Sequence, residues 1–379
     1  MRAKHYKVAL LALCFMALCL RAPISVLGPL ESEISSYFKL SATAFGALSA
    51  MPVFIFGIFA LFAPFLSVRR SITAALLFII FGLFLRSFFG TSELFVGSFI
   101  LGIGIALLNV IAPAFIKEKF TNIPRMMSIY SGVMGISVLL GVLAHYSLGF
   151  WGLKGALSCW LIFAVLAFFA YLPFLANKRY KRTRPKGLPS GLGSVLRKKG
   201  AWIIMAFLGI QSCIFYTIIA WYAAVVAASF DARVGANLTF LMQAVAMVSS
   251  FLMPQAFGKS RRKDLFVIIA CSFNIFGFLF LTSSSLSLLA LAGLCFSVTT
   301  GGVFGIALIF IATKARREEV LALSSMSQSL GYVLAGFGPL IFGYLKDLTG
   351  DFNAGLYLMS FLSLLLLYLA KKSENLRLI

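Results

Sequence analysis

Long apolar runs, separated by short clusters of charge, glycine and turn residues, organise this chain from end to end. Twelve runs can be marked, near 8–30, 42–66, 72–90, 94–116, 126–148, 155–176, 201–228, 235–257, 265–282, 287–312, 320–345 and 353–370. Most reach the roughly 17–25 residues that a helix needs to cross a hydrocarbon layer. Backbone groups in lipid must bond one another, so a spanning segment is a helix or a strand of a closed barrel. Barrel strands would be short and alternating. These runs are continuous, and the pattern predicts twelve transmembrane helices.

Composition agrees. Hydrophobic residues make up 61% and charged residues 12% of the 379, against about 25% charged in a soluble domain. The net charge of +22 would suit nucleic acid if it formed one patch. Instead, basic residues recur in every second loop. Arg2, Lys4 and Lys7 open the series, followed by Arg69 and Arg70, then Lys117, Lys119 and Arg125. Lys178 to Lys199, Lys259 to Lys263, Lys314 to Arg317 and Lys371 to Arg377 complete it. Only Lys39, Lys154, Arg233 and Lys346 fall in the alternate loops, beside acids such as Glu31, Glu33, Asp231, Asp347 and Asp351; Arg21 and Arg86 lie inside spans. By the positive-inside rule both termini and the long central loop are expected in the cytoplasm. No nucleic-acid partner is expected.

The opening MRAKHYK and the apolar run behind it imitate a secretory signal. No small-residue cleavage site follows, and Arg21 breaks the pattern, so the segment is read as an uncleaved first helix. Cys14, Cys19, Cys159, Cys213, Cys271 and Cys295 all fall within spans at no metal-like spacing; free buried thiols are expected.

Residues 177–200, rich in Lys, Arg, Gly and Pro, divide the spans six and six. They read as a basic cytoplasmic linker lying on anionic lipid headgroups. The expected division is therefore 1–176, a linker 177–200, and 201–379. Weak internal similarity accompanies it. Gly104-Ile105-Ala106-Leu107 recurs as Gly305-Ile306-Ala307-Leu308. Ser128, Ser131 and Gly135 have the spacing of Ser324, Ser327 and Gly331, and Arg69-Arg70 is echoed by Arg261-Arg262. Two parallel six-helix repeats of this kind are the mark of the major facilitator architecture.

Arg21 is the residue that most narrows the function. At 1.5 Å per residue it lies about 21 Å from Lys7 and about 15 Å from Glu31, close to the middle of a layer about 30 Å thick. A charge at that depth costs from about 3 to above 10 kcal/mol, so the side chain should face protein or water. Ser25 lies one turn on and Cys14 two turns back on the same face. A fixed cation with no carboxylate in its layer suggests a site that attracts a small anion. Against this stands a structural reading, in which Arg21 snorkels to headgroups or bonds carbonyls freed by Pro23.

Twelve spans split six and six, with basic turns after spans two and eight, resemble the major facilitator superfamily. Within it, three stretches look like the branch of cyanate and 2-nitroimidazole transporters. The first is Arg21-Ala22-Pro23 leading to Gly28-Pro29-Leu30, and the second is Trp221-Tyr222-Ala223-Ala224. The third is Ser327-Gln328-Ser329-Leu330-Gly331-Tyr332 leading to Phe337-Gly338-Pro339-Leu340 and Lys346-Asp347-Leu348-Thr349-Gly350. The resemblance implies an all-α fold of two pseudo-symmetric six-helix bundles in which spans one, four, seven and ten line a central cavity. Asn109, Gln211, Tyr216, Thr299 and Thr300 then become lining candidates, able to complete an anion's hydrogen bonds without adding charge. The bland alternative for each is an interhelical bond worth about 0.6 kcal/mol. Trp221 and Tyr222, near the end of span seven, read as an interfacial aromatic belt, or as a gate if the resemblance is followed. Ser324, Gln328, Gly331, Ala335 and Gly338 form a small-residue stripe for close packing, from which Gln328 is the bulky exception. Arg86 is expected to snorkel to outer headgroups. His145 is the one titratable imidazole near the membrane.

The expected function is a secondary or facilitative transporter of a small anion or small polar solute, working by alternating access across a bacterial cytoplasmic membrane. The candidate site is Arg21, Ser25, Asn109, Gln211, Tyr216, Trp221, Tyr222, Thr299 and Gln328. The alternative is an exporter of weakly polar, drug-like compounds, suggested by 40 phenylalanines. A membrane enzyme is not expected, because the spans hold no zinc, Ser/Lys or Asp/Asp constellation. No phosphate-binding glycine loop is present, so no ATP is used directly. No cofactor, no catalytic residue and no metal is expected. The partners are a small-molecule substrate and membrane lipids, and the chain is expected to be a monomer.

Overall fold

The computed structural model describes residues 3–62, 68–175, 192–316 and 319–376. Arg2, Ser67, Arg317, Arg377 and 177–191 of the expected linker lie outside them, as does the side chain of Ser128. The described residues are helical and contain no strand. Eleven helices are long and apolar enough to cross a membrane, and Leu161–Leu175 is a shorter apolar one. The expected spans are thus present as helices in the expected order.

In chain order the helices are α1 (Ala3–Ser25), α2 (Glu31–Phe38), α3 (Ala42–Phe62), α4 (Val68–Phe88), α5 (Thr91–Lys119) and α6 (Ile123–Leu143). After them come α7 (Leu148–Ser158), α8 (Leu161–Leu175), α9 (Leu192–Leu196), α10 (Lys199–Ala227) and α11 (Ala232–Lys259). The chain ends with α12 (Lys263–Leu281), α13 (Leu286–Val298), α14 (Phe304–Lys314), α15 (Val320–Thr349) and α16 (Asn353–Glu374). Three elements escaped the hydrophobic pattern. Helix α2 is a short polar helix with Glu31 and Glu33 in its first turn, where negative charge suits the dipole. Helix α7 is broken at Gly152, whose φ of 61° favours glycine. Span ten is divided by a π turn at Thr299–Val303.

Contacts divide the chain into two compact units. The first comprises Met1–Leu27 and Ile58–Gly187, and the second Gly28–Gly57 and Leu188–Ile379. Residues 28–57 therefore pack with the later helices. Their glycines explain it. A Cβ at Gly28 would collide with the Ile219 carbonyl, one at Gly46 with the Pro339 carbonyl, and one at Gly57 with Ser329 and Val333.

In the first unit α4 and α5 form the tightest pair, and α1 packs on α6, α8 and α5. A Cβ at Gly82 would stand 2.5 Å from the Leu101 nitrogen, and one at Gly97 2.5 Å from the Arg86 nitrogen. Bare glycine is what lets these backbones approach, the usual device where lipid supplies no hydrophobic drive between helices.

In the second unit α10 packs along α15. The expected small-residue stripe is the reason. Gly331 lies against Gly209, and Gly338 against the Cys213 carbonyl and the Thr217 hydroxyl. The Ser329 hydroxyl donates to the Gly57 carbonyl at 2.6 Å. The start of α3 is capped from a distance. Asp347 of α15 accepts from the Ala42 N–H at 2.9 Å, and from the Thr43 N–H and hydroxyl at 2.6 Å each. The described end of the linker is also anchored, since the Ser194 hydroxyl and the Lys198 ammonium donate to Glu319 at 2.7–2.9 Å.

Candidate functional site

In the first unit the candidate residues gather on the last turns of α1. Pro23 has no N–H and cannot continue the helical ladder. One residue earlier a neighbouring side chain bonds into the ladder. The Ala22 N–H donates to the Ser137 hydroxyl at 2.8 Å, and that hydroxyl donates in turn to the Leu18 carbonyl at 2.6 Å. Ser137 of α6 is thus inserted into a helical turn of α1, a recognised cause of local bending. The Ser25 hydroxyl donates to the Val138 carbonyl at 3.1 Å and stands 3.4 Å from the Ala22 carbonyl. Gly141 completes the seam, because a Cβ there would collide with Ser25 and with Ala22.

Arg21 rides on this turn and is half-buried. Its charge reaches the hydroxyl of Tyr130 on α6, which is buried and has no hydrogen-bond partner among the described residues. Asn109 on α5 is half-buried too. Arg86 departs from expectation. It does not reach toward headgroups but is 1% exposed, and its Nη1 donates to the Pro23 carbonyl at 2.7 Å. The Leu27 N–H turns to the Ile24 carbonyl at 3.2 Å and not to that of Pro23, so the Pro23 carbonyl is left to attract the guanidinium inward. His145 lies in a 3₁₀ turn, Ala144–Ser147, that closes α6.

In the second unit Gln211, Tyr216, Trp221 and Tyr222 are all buried on α10. The Gln211 carbonyl oxygen accepts from the Ser212 hydroxyl at 3.4 Å, a long bond. The Tyr216 ring stands 6.4 Å from that of Tyr332 on α15. Gln328 bonds one turn back, its amide donating to the Ser324 hydroxyl at 2.8 Å. Trp221 and Tyr222 do not form an interfacial belt, since both are 1% exposed and lie inside the protein. The Trp221 indole donates to the Pro339 carbonyl at 3.1 Å, amid the rings of Phe45, Phe342 and Phe352. The Tyr222 hydroxyl donates to the Leu289 carbonyl at 2.8 Å.

Thr299 opens the π turn, its hydroxyl 2.6 Å from the Asn274 side-chain oxygen. The Thr299 and Thr300 hydroxyls both stand within 3.0 Å of the Phe296 carbonyl. The π turn packs its glycines against α11, Gly301 on the Ala246 backbone and Gly302 on the Met253 side chain. Such turns are frequent at functional sites.

The arrangement therefore joins Arg21 and Ser25 on one turn of the first unit, and gathers Gln211, Tyr216 and Gln328 along α10 and α15 of the second. The donors of Trp221 and Tyr222 go to backbone carbonyls, and the Thr299 hydroxyl is held between Asn274 and Phe296. Sequence reasoning missed Ser137, Tyr130 and Asn274, and it quoted Asp347 without foreseeing that it caps α3. Of these only Ser137 had a usable signal, its spacing of four from Gly141 in an apolar helix, the small-xxx-small pattern of close helix contacts. The six cysteines are free. Among the described residues no group of three His, Cys, Asp or Glu side chains could hold a metal ion.

Comparison with known proteins adds to this geometry. A sequence model of the Major Facilitator Superfamily matches residues 13–336. The uncharacterized transporter YycB of Bacillus subtilis (strain 168) is 32% identical over 358 residues, covering 91% of this chain and 88% of that protein. The 2-nitroimidazole transporter of Escherichia coli (strain K12) is 30% identical over 375 residues, covering 96% and 94%. The cyanate transport protein CynX of the same organism is 25% identical over 358 residues, covering 90% and 91%. Among solved structures, the nucleoside transporter NupG superposes with a TM-score of 0.76 at 15% identity, covering 100% of this chain and 100% of that one.

Proposed function

Because the chain belongs to the Major Facilitator Superfamily, and is a transporter and not an enzyme, we propose that it carries a small anion or small polar solute, cyanate-like, nitrate-like or a short organic anion. Arg21 supplies the attracting charge and the protein works by alternating access. The observation that carries this reading is Arg21 itself. It sits on a turn held by Ser137, in a helix whose sequence from Ala3 to Ser25 contains no acidic residue. A fixed guanidinium within an apolar layer attracts a negative cargo in preference to a neutral or cationic one. The name of the cyanate relative supports an anion.

Within the first unit, Asn109 would add neutral hydrogen bonds beside Arg21, while the Ser25 hydroxyl, which donates to the Val138 carbonyl, ties the end of α1 to α6. Within the second, Gln211, Tyr216 and Gln328 are the proposed neutral donors, while Trp221, Tyr222 and Thr299 hold α10 and α13 in place for them. The alternation of basic and acidic loops favours cytoplasmic termini, with basic loops against anionic headgroups of a bacterial inner membrane. The working form is proposed to be the monomer.

The test is ligand-induced thermal stabilisation of detergent-purified protein, wild type beside Arg21→Gln, with cyanate, nitrate, short carboxylates, a nitroimidazole and a cationic dye. Stabilisation by an anion that disappears in Arg21→Gln supports the proposal. The relative named for 2-nitroimidazole favours a second reading, an exporter of weakly polar compounds. Stabilisation by the nitroimidazole or dye alone, unchanged in Arg21→Gln, would establish that reading and leave Arg21 structural.

A further inference from the structure

Arg86 raises a separate question of charge. Its guanidinium is permanently ionised and carries five N–H donors. Nη1 is satisfied by the Pro23 carbonyl, but Nε and Nη2 meet no acceptor among the described residues. The residue lies two positions from the end of α4 and is 1% exposed, so bulk water does not reach it. Glu93, the acid in the first turn of the adjoining α5, accepts from the Gly90 N–H through a carboxylate oxygen at 3.1 Å. Cys159 is within electrostatic reach of the guanidinium, and a thiol brings no fixed charge.

A buried charge left without a partner is costly by several kcal/mol. One carbonyl supplies part of a dipole and no net charge. The neighbourhood compounds the deficit, because other buried donors there are idle. The Ser87 hydroxyl beside Arg86 in sequence, the Ser98 hydroxyl on α5 and the Trp160 indole N–H between α7 and α8 have no partner among the described residues. Helix α4 packs against α5, α7 and α8, the elements that carry or adjoin these groups. An indole N–H can only donate. A cation with two unmet donor nitrogens, in a region of further unmet donors, calls for an acceptor that also brings negative charge.

We propose that Arg86 holds a small monovalent inorganic anion, of halide or nitrate size, at a site distinct from Arg21. Full burial excludes a bulky organic anion. The proposal does not depend on what Arg21 transports. The ion has two candidate sources, a resident structural halide and a transported anion held along its path, and both use the same donors.

The experiment is thermal unfolding of the purified full chain in detergent, titrated with chloride, bromide or nitrate against gluconate at constant ionic strength. Wild type, Arg86→Gln, Arg86→Lys and Arg21→Gln are compared. A saturable rise in Tm with chloride or bromide is expected in wild type and in Arg21→Gln. Arg86→Gln should lose it. Arg86→Lys keeps the charge without the planar fork and should need at least tenfold more anion, so it decides the matter if Arg86→Gln fails to fold. Equal responses in wild type and Arg86→Lys would overturn the proposal. So would the absence of any anion-specific response, or a response lost in Arg21→Gln and kept in both Arg86 variants. Halide flux into proteoliposomes then separates the sources. Flux slowed in Arg86→Lys identifies a transported ion, and binding without flux identifies a resident one; both sustain the site.

Discussion

The hydroxyl of Ser137 stands 2.6 Å from the carbonyl oxygen of Leu18, where the amide of the next helical turn would ordinarily sit. The Ala22 amide, the ordinary helical donor to that carbonyl, bonds to the same hydroxyl at 2.8 Å. One side chain of α6 therefore sets the pitch of the turn that carries Arg21. Ser137→Ala should remove both bonds and release the turn. Interhelical bonds in membrane proteins contribute about 0.6 kcal/mol each, with a maximum near 1.7, so the loss of stability should be about 1–2 kcal/mol. The informative readout is the concentration of anion needed for half-maximal thermal stabilisation. It should rise severalfold because Arg21 is re-aimed, and an unchanged value would show that the insertion does not position the arginine.

Trp221 is the largest fully buried side chain, and its single donor is committed to Pro339. Trp221→Phe keeps a ring among Phe45, Phe342 and Phe352 and loses only that bond, at about 0.6–1.7 kcal/mol. Trp221→Ala also empties the pocket and should cost about 3–5 kcal/mol. The two are compared by denaturant unfolding in detergent, with KM for transport measured on Trp221→Phe. KM should stay within about twofold of wild type, and a large rise with stability intact would put the indole in contact with cargo.

The order and number of the spans were legible because a membrane imposes a minimum apolar length and punishes charge within it. The same logic singled out Arg21 and Arg86. It does not say which acceptor each donor meets. Arg86 has a stem long enough to snorkel, yet the orphan carbonyl of Pro23 claims it. Trp221 and Tyr222 have the composition of a belt, yet they bond Pro339 and Leu289. Their acceptors are backbone carbonyls 118 and 67 residues away, and nothing in local spacing marks a carbonyl as free. The stretch Lys346 to Gly350 is similar. Lys346 lies over the Phe352 ring at 4.4 Å, Asp347 caps α3, and Gly350 ends α15 at a φ of 81°. All three act in packing.

Asp347 holds the first turn of α3 from more than three hundred residues away. Free N–H groups at a helix start are satisfied by an oxygen acceptor, and removing a capping side chain costs about 0.5–2 kcal/mol. Asp347→Ala should fall in the upper half of that range, since it also abandons the Thr43 hydroxyl. Asp347→Asn retains one acceptor and should lose about half as much. Thermal unfolding of the two variants at one pH tests the ranking, and equal stability of wild type and Asp347→Ala would show that the cap is idle.

Glu319 gives the protein a pH-dependent hold on its linker. The Lys198 ammonium bonds both carboxylate oxygens, and the Ser194 hydroxyl donates to one of them. Lys198 foremost, and Ser194 after it, hold the Glu319 carboxyl below the ordinary glutamate range. A carboxyl that ionises more readily in the folded protein adds stability at pH values above its unfolded pKa. That contribution falls away as the pH drops through the lower, folded value. Wild type should therefore exceed Glu319→Gln in Tm near pH 7, and the gap should narrow as the pH is lowered from about 5, the region where free glutamate begins to protonate. Lys198→Met should shrink the gap at every pH. A gap that stays constant from pH 7 to the acid limit of the folded state would mean that Glu319 acts by packing and not by charge.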